Sequence, residues 1–421
     1  MFKLSLISVI LSRTINYFYI EYQSFHRLKM SAEYEYIQTT PDLETFCSEA
    51  HADLLDDDFL TLDTEFIRER TYAPQLCLIQ IATHKKAAIV DPLADGMDLQ
   101  PLLELLAHPD MLKVLHAGRQ DLEIFLALMG ELPKNIFDTQ IAAMACGFGD
   151  SAGYETLVKK ITKNPLDKSA RFSNWAQRPL TTKQLDYAIG DVTYLREIYT
   201  HLSTKIKEEG RESWISEEIQ IALDPTTYEV NPHRLLFKLK LRTSKPSVLA
   251  RAFYLVKWRE AQAEAENKPR QTIMRDELII ELATQNPQSL EDFRKTRGLR
   301  DKNLSRKIGD AIISLLKEAS ALPPKECPKL PTPINEPSVN PLTQDMLRLL
   351  LRYIAEKEQV AEKILAPSKD ITTLIRHGEK ADIPCLKGWR YDIFGKIALD
   401  LMNEKIALSL KDGKLILNTK D

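Results

Sequence analysis

Phe59-Leu-Thr-Leu-Asp-Thr-Glu-Phe66 has the pattern of a short buried strand in which apolar residues surround an acidic pair. Alternate residues of a strand point to the same face, so Asp63 and Glu65 present two carboxylates side by side. Two adjacent negative charges are unfavourable unless a cation neutralises them, and the pair therefore indicates a metal site. An exposed strand edge with solvated acids is the alternative, and the apolar neighbours Leu60 and Leu62 count against it.

The segments that follow this strand alternate between strand and helix patterns. Two further strands and a helix come first, then a strand, a helix and a mainly helical stretch, and this order predicts one mixed sheet flanked by helices. The predicted elements are strands at 76–82 and 87–90, a helix at 99–107, a strand at 112–115, a helix at 120–129, and helices across 138–207.

Two more acidic positions stand in this region. Asp121 lies at a predicted helix start after a strand, where a capping or dipole role is the alternative to a metal ligand. Tyr187 and Asp191 are four residues apart, so they share one helical face and could together hold a water molecule. An ordinary amphipathic helix with a partly buried tyrosine is the alternative for that pair.

After residue 208 the strand patterns largely disappear. Helices are predicted at 248–266, 276–284, 289–295 and 303–318, and a proline-rich linker follows them. Residues 343–421 repeat the helical pattern, although the part from 406 to 417 looks strand-like. The sequence thus predicts two small helical bundles behind the α/β region.

The charges divide unevenly between these regions. Residues 31–208 hold 17 Lys and Arg against 28 Asp and Glu, or −11, whereas residues 231–320 hold 19 against 11, or +8. An acidic region beside a basic one fits a metal-binding catalytic domain next to a module that binds a polyanion, with random surface charge as the alternative. The five cysteines are far apart and form no CxxC pair, which favours a reducing cytoplasm over a disulfide framework or a zinc site.

Residues 1–29 match no domain pattern. They contain a short apolar run without a clear cleavage site, and that run is too short to span a bilayer. Met30 directly precedes the first domain-like segment, so we favour a misassigned upstream start over a targeting segment and expect no membrane association.

Taken together and in this order, the acidic positions resemble the exonuclease superfamily named for its four acids, in the subgroup with a tyrosine in the last motif. The sequence around these acids resembles bacterial ribonuclease D, and the resemblance extends from about Tyr34 to the C terminus. The two helical bundles resemble HRDC domains, and the second bundle is the more diverged. The matching segments are Leu62-Asp-Thr-Glu-Phe66, Pro74-Gln-Leu-Cys-Leu-Ile-Gln80, His116-Ala-Gly-Arg-Gln-Asp121, Leu166-Asp-Lys-Ser-Ala-Arg171, Trp175 and Arg178-Pro-Leu180.

The resemblance implies a domain order. It consists of a ribonuclease H-like exonuclease domain over 30–208, a connector over 209–235, a first HRDC domain over 236–320, a linker over 321–341 and a second HRDC-like domain over 342–421. Because every predicted site residue precedes residue 208, we expect the exonuclease domain to hydrolyse short RNA without the rest, provided that it folds.

The resemblance also implies the chemistry. RNA would be hydrolysed from its 3′ end to nucleoside 5′-monophosphates with two divalent ions, Mg²⁺ or Mn²⁺, and the substrates would be tRNA precursors and other 3′-tailed RNAs. Asp63 would contact both ions, Glu65 and Asp191 would hold one, Asp121 would support the other, and Tyr187 would orient the attacking water.

Substrate contacts are predicted less specifically. Phe66 is expected to stack on a terminal base, with a core position as the alternative. Lys168, Arg171 and Arg178 are expected to contact phosphates, with a solvated basic face as the alternative. A DNA 3′→5′ exonuclease and a catalytically inactive RNA-binding adaptor stay open as other functions, and the sequence carries no signal for the oligomeric state.

Overall fold

A six-stranded mixed sheet forms the centre of the N-terminal domain in the computed structural model. The structure describes residues 34–54, 59–167, 169–299, 306–329 and 338–419, so the expectation for residues 1–29 lies outside the described residues. The strands run β1 (Tyr34–Ile37), β2 (Phe59–Ile67), β3 (Gln75–Ala82), β4 (Ala87–Val90), β5 (Leu112–Leu115) and β6 (Ile136–Asp138).

The order of strands across the sheet is β1-β4-β3-β2-β5-β6. The β2–β3 and β3–β4 pairs are antiparallel, and the β1–β4, β2–β5 and β5–β6 pairs are parallel. The predicted mixed sheet is confirmed, and β2 lies near its middle. The sequence patterns missed β1 and β6, which have only four and three residues.

Helices cover both faces of the sheet. The helices of this domain are α1 (Thr40–Leu54), α2 (Gln100–Ala107), α3 (Arg119–Met129), α4 (Thr139–Ala145), α5 (Tyr154–Ile161) and α6 (Thr182–Glu208). Leu60 and Leu62 of β2 pack on one face with residues of α1, α2 and α3. On the other face, Ala188 and Val192 of α6 pack over β3 and β4. The strand with the acidic pair is therefore enclosed from both sides.

The first C-terminal unit is helical. Its helices are α8 (Pro232–Lys238), α9 (Pro246–Ala265), α10 (Arg270–Ile273), α11 (Asp276–Gln285), α12 (Leu290–Lys295) and α13 (Arg306–Ser320), and α7 (Glu212–Ala222) precedes them. Two of its arginines are interior. Arg259, only 2% exposed, pairs with Asp276 at 2.6 Å, and Arg251 donates from Nε to the Ala283 carbonyl at 2.7 Å. These two charges of the basic region are structural.

The second unit is not purely helical, which corrects the prediction of two all-α bundles. Its helices are α14 (Pro341–Glu358), α15 (Glu362–Leu365), α16 (Ser368–His377), α17 (Gly388–Arg390) and α18 (Lys396–Met402), and a π-helical segment, Tyr391–Gly395, joins the last two. An antiparallel hairpin of β7 (Ile406–Lys411) and β8 (Lys414–Thr419) ends the described chain. The alternating apolar residues of 406–417 are the local cause of this hairpin.

The second unit shares its hydrophobic core with the N-terminal domain. Leu350 and Ile354 of α14 belong to the same buried cluster as Ala142 of α4 and Trp214 of α7. The rings of Trp214 and Trp389 stack at 4.3 Å with an angle of 6°. The core of the exonuclease domain therefore continues past residue 208.

Polar contacts reinforce this junction. Arg390, 4% exposed, pairs with Glu217 and Glu218, and Arg211 donates to the carbonyls of Ala145 and Glu358 at 2.7 Å. The buried guanidinium of Arg390 is thus paired with two partly exposed acids of α7, which ties the second unit to α7.

All five cysteines are buried and unpaired. Among the described helices, none combines the length and the apolar composition that a membrane crossing requires.

Candidate active site

Strand β2 positions the first two acids. Asp63 pairs with Gln80 of β3 and Glu65 with Leu78, and the register shifts immediately after Glu65. This bulge interrupts the regular register directly beside the acidic pair, and pairing resumes with Phe66 and Leu76. Bulges are common next to active sites, where they redirect side chains. Asp63 and Glu65 are both half-buried, so the pair is withdrawn from bulk water yet reachable from outside.

A tight turn between β5 and α3 positions Asp121. Ala117 has a φ of 55°, and a Cβ on Gly118 would stand 2.8 Å from the side chain of Leu115. Asp138 accepts the backbone N–H groups of Ala117 and Gly118 at 3.1 and 2.9 Å and so holds this turn. Asp121 then lies in the first turn of α3, only 6% exposed.

Thr64 connects Asp121 of α3 to the acidic pair of β2. Its hydroxyl donates to Oδ1 of Asp121, so the strand residue between Asp63 and Glu65 is tied directly to α3. The sequence patterns did not single out Thr64, although its place between two predicted ligands was a usable signal.

Helix α6 brings Tyr187 and Asp191 over the sheet. It begins at a capping box in which Thr181 and Gln184 satisfy each other's backbone N–H groups. Asp191 lies one turn after Tyr187. The next residue, Val192, accepts a hydrogen bond at its carbonyl from the hydroxyl of Thr61 in β2 at 2.9 Å. This bond fixes the helix directly above the acidic strand.

The four carboxylates act on one another electrostatically. Burial first, then the charges of Asp121, Asp191 and Glu65, raise the pKa of Asp63 well above its ordinary value. Burial, then the charges of Asp191 and Asp121, raise the pKa of Glu65 to about 9, although Arg171 opposes the shift. Burial raises the pKa of Asp191 to about 8, again against Arg171, and that of Asp121 to about 6. The structure thus brings the four predicted acids to one site.

Tyr187 stays protonated at this site. Burial, then Asp191, Glu65 and Asp63, raise the pKa of its phenol above the ordinary value. Its ring lies 6.0 Å from the ring of Trp175, which is 3% exposed. A phenol held in this way can donate a hydrogen bond but is a poor base.

Tyr154 is a site residue that the sequence patterns missed. Its hydroxyl donates to the carbonyl of Gly190 at 2.8 Å, and its pKa is raised by burial and then by Asp191 and Asp63. His116 packs against it at 5.5 Å and contacts the Thr139 hydroxyl through Nδ1 at 3.0 Å. His116 thus supports the wall of the site.

The donor set fits hard divalent cations. Burial and mutual repulsion disfavour the ionised forms of the four acids, and divalent cations would compensate that charge; oxygen ligands suit Mg²⁺ or Mn²⁺. Within the described part of the chain, no three His, Cys, Asp or Glu side chains already stand in a metal-holding arrangement. Small rotations of the acids would accompany metal binding.

The residues predicted to contact substrate differ in their exposure and in their position relative to the acids. Phe66 is half-buried at the bulge and outside the core clusters, and Arg171 is exposed within electrostatic range of Glu65 and Asp191. Lys168 lies outside the described residues. Phe172, which the sequence analysis did not select, is 92% exposed with the Arg171 guanidinium 5.4 Å from its ring centre.

Arg178 corrects the prediction of a phosphate contact. Its Nε and Nη2 bind both oxygens of Asp91 at 2.6 Å. Nη2 also donates to the Cys77 carbonyl at 2.8 Å, and Nη1 donates to those of Trp175 and Gln177 at 2.7 and 3.0 Å. An arginine has five N–H groups, so no donor is left for a substrate.

Comparisons with known proteins identify the domains and the family of the chain. Residues 34–207 match the 3′–5′ exonuclease family model, and residues 249–316 match the HRDC domain. The chain is 43% identical to ribonuclease D of Zymomonas mobilis over 85% of this chain and 92% of that protein. It is 40% identical to ribonuclease D of Granulibacter bethesdensis over 90% and 95%.

A solved structure of a ribonuclease D is similar to this chain over most of its length. The crystal structure of Escherichia coli RNase D superposes with a TM-score of 0.71 at 30% identity, over 88% of this chain and 99% of that one. The chain belongs to the ribonuclease D family and is a hydrolytic 3′→5′ exoribonuclease.

Proposed function

We propose that this exoribonuclease trims the 3′ ends of tRNA precursors and other structured RNAs that carry 3′ tails. The observation that carries the proposal is the cluster of four mutually repelling, desolvated carboxylates beside a protonated tyrosine. The E. coli relative is described as an exoribonuclease involved in structured RNA processing, which supports the substrate class.

Asp63, Glu65, Asp121 and Asp191 would hold two divalent ions, Mg²⁺ or Mn²⁺. When bound, such a pair supplies activation of a water molecule and stabilisation of the leaving oxygen of an in-line displacement. Asp63 would contact both ions, Glu65 and Asp191 one, and Asp121 the other. Thr64 keeps Asp121 oriented through its hydrogen bond.

Tyr187 would orient the attacking water through its hydroxyl. Because its pKa is raised, the phenol keeps its proton and acts as a donor. The proton released by the water therefore has to leave through a carboxylate or solvent.

Phe66, Arg171 and Phe172 would hold the 3′-terminal nucleotides. A positive side chain near the acids suits a phosphate, and the rings of the half-buried Phe66 and the exposed Phe172 suit base stacking, which tolerates any base. Lys168 remains a proposed phosphate contact on the sequence alone.

The helical units would bind the body of the RNA. We assign 236–320 as the first HRDC domain and 342–421 as a diverged second one, behind an exonuclease domain at 30–208. Both units repeat one order of elements: a long helix starting at proline, a four-residue helix and a ten-residue helix (α9, α10 and α11; α14, α15 and α16). The unpaired cysteines are consistent with a cytoplasmic site of action.

The test compares hydrolysis of 3′-tailed tRNA, single-stranded RNA and single-stranded DNA by the full chain, with Mg²⁺, Mn²⁺ or EDTA. We expect both RNAs to be shortened with release of 5′-monophosphates, and EDTA to stop the reaction. Preference for DNA would favour the alternative of a DNA exonuclease, and binding without hydrolysis would favour an inactive adaptor.

Asp63→Asn supplies the site-specific arm. It should abolish hydrolysis while RNA affinity is retained, because shape is kept and one charge is lost. Asp186→Asn, an exposed acid one residue before Tyr187, is the matched control and should stay active. More than a few per cent of wild-type turnover in Asp63→Asn would remove Asp63 from the metal site.

A further inference from the structure

Gln80 is a buried amide without a partner. Its side chain is 0% exposed, and neither Oε1 nor Nε2 has a hydrogen-bond partner among the described residues. Most buried polar groups in proteins are hydrogen-bonded, and the exceptions call for an explanation such as a functional role. An apolar residue of similar size would fill this position without that free-energy cost.

The position of Gln80 in the sheet suggests the reason. Gln80 of β3 lies directly opposite Asp63 of β2 on one side and Ile89 of β4 on the other. Directly paired residues of antiparallel strands point to the same face with Cβ atoms about 4.5–5.5 Å apart. The amide is therefore a rotation away from the Asp63 carboxylate.

Asp63 also needs a donor. Among the described residues, the hydrogen bond that reaches the Asp63 carboxylate comes from the backbone N–H of Thr64. On the face of β3 and β4 that α6 covers, Ala188 and Val192 of α6 belong to an apolar cluster with Leu78 and Ile89. A carboxylate that binds metal is commonly held in orientation by a hydrogen-bond donor outside the metal's own ligands.

We propose that Gln80 is a positioning residue whose Nε2–H donates to the carboxylate of Asp63 in the working site. This inference rests on the proposed role of Asp63. Since Gln80 is fully buried, it does not touch RNA, and it acts on the reaction only through Asp63.

The experiment replaces Gln80 by Met and by Leu in the full chain. Three quantities are measured: unfolding by urea in EDTA, the affinity for Mn²⁺ by calorimetry, and the single-turnover rate on a 3′-tailed RNA. Loss of such an orienting partner typically costs about 10–100-fold in metal affinity or activity. We expect a loss of that size in Mn²⁺ affinity and rate, with RNA affinity in EDTA unchanged and stability in EDTA unchanged or higher.

Ile89→Leu is the matched control. It changes a wholly buried neighbour on the side of Gln80 away from Asp63, so it tests packing alone and should keep the wild-type rate. Wild-type rate and Mn²⁺ affinity in either Gln80 variant would overturn the proposal. So would a loss of stability in EDTA at unchanged rate, because that pattern marks an amide that serves the fold.

A second comparison separates this proposal from the proposed function. If Asp63→Asn is inactive while the Gln80 variants keep full activity, the site stands and the role of Gln80 fails. If Asp63→Asn is itself active, the assignment of Asp63 fails first.

Discussion

Replacing Arg178 by Met separates a structural arginine from a phosphate-binding one. The variant removes two charged hydrogen bonds from Asp91, which is 1% exposed, and three further bonds to carbonyls. Breaking a buried pair by removing one partner costs about 3–5 kcal/mol. Since Arg178 is itself 24% exposed and Tyr36 still donates to Asp91 at 2.7 Å, we expect the lower end, about 3 kcal/mol.

The pH dependence of this loss has a definite sign. Burial raises the pKa of Asp91, whereas the hydrogen bonds from Arg178 and Tyr36 lower it. The net effect is a lowered pKa. A carboxylate with a lowered pKa contributes stability above its unfolded pKa of about 3.9, and that contribution disappears as the pH falls through the folded pKa. The difference between wild type and Arg178→Met should therefore be full at neutral pH and shrink in acid.

Urea unfolding measures the stability, and RNA affinity in EDTA at several salt concentrations measures the phosphate contact. Arg178→Met should lose stability but keep the salt slope of RNA binding under conditions where it is folded. Asp91→Leu combined with Arg178→Met should recover part of the loss, because no unpaired charge remains. Unchanged stability together with weaker, less salt-dependent RNA binding would refute the structural role.

Three further outcomes are expected. Tyr187→Phe should lower the single-turnover rate by about 10²–10⁴-fold or less without abolishing it, and an unchanged rate would remove Tyr187 from the mechanism. Arg171→Ala should keep wild-type stability, weaken RNA binding and reduce the salt slope by about 1, and equal slopes in a salt titration would contradict a phosphate contact. A chain that ends at residue 208 should unfold or aggregate, because it lacks Trp214 and the C-terminal helices that share its core; a cooperative unfolding transition in circular dichroism would show that the domain stands alone.

The acids could be predicted from sequence because each depends on local geometry. Asp63 and Glu65 share a strand face, Tyr187 and Asp191 share a helix face, and Asp121 follows a turn that Gly118 permits. Periodicity of two or of 3.6 residues is visible in a short window of sequence.

The structural role of Arg178 could not be predicted in that way. Its partner Asp91 is 87 residues away, and the pairing exists only because β4 and the segment after Trp175 meet in space. The role of Gln80 could not be predicted either. The sequence shows the segment that contains Gln80, but only the structure shows that its buried amide has no hydrogen-bond partner among the described residues. The core shared with the second helical unit likewise depends on contacts between distant segments, such as the stack of Trp214 on Trp389.

The acidic catalytic domain and the basic helical unit depend on each other electrostatically. A region with 17 basic and 28 acidic residues repels RNA, so productive binding needs positive charge near the site. The first helical unit is fixed to the loop after β2: Asn267 Oδ1 accepts the backbone N–H of Tyr72 at 3.1 Å, and the Tyr72 hydroxyl donates to Glu260 at 3.3 Å. That loop continues the strand that carries the acidic pair, so RNA bound by the basic unit, as proposed, would be kept close to the four acids. The buried Arg251 and Arg259 are held by groups of the protein, so direct contacts with phosphates would have to come from exposed charges of the unit.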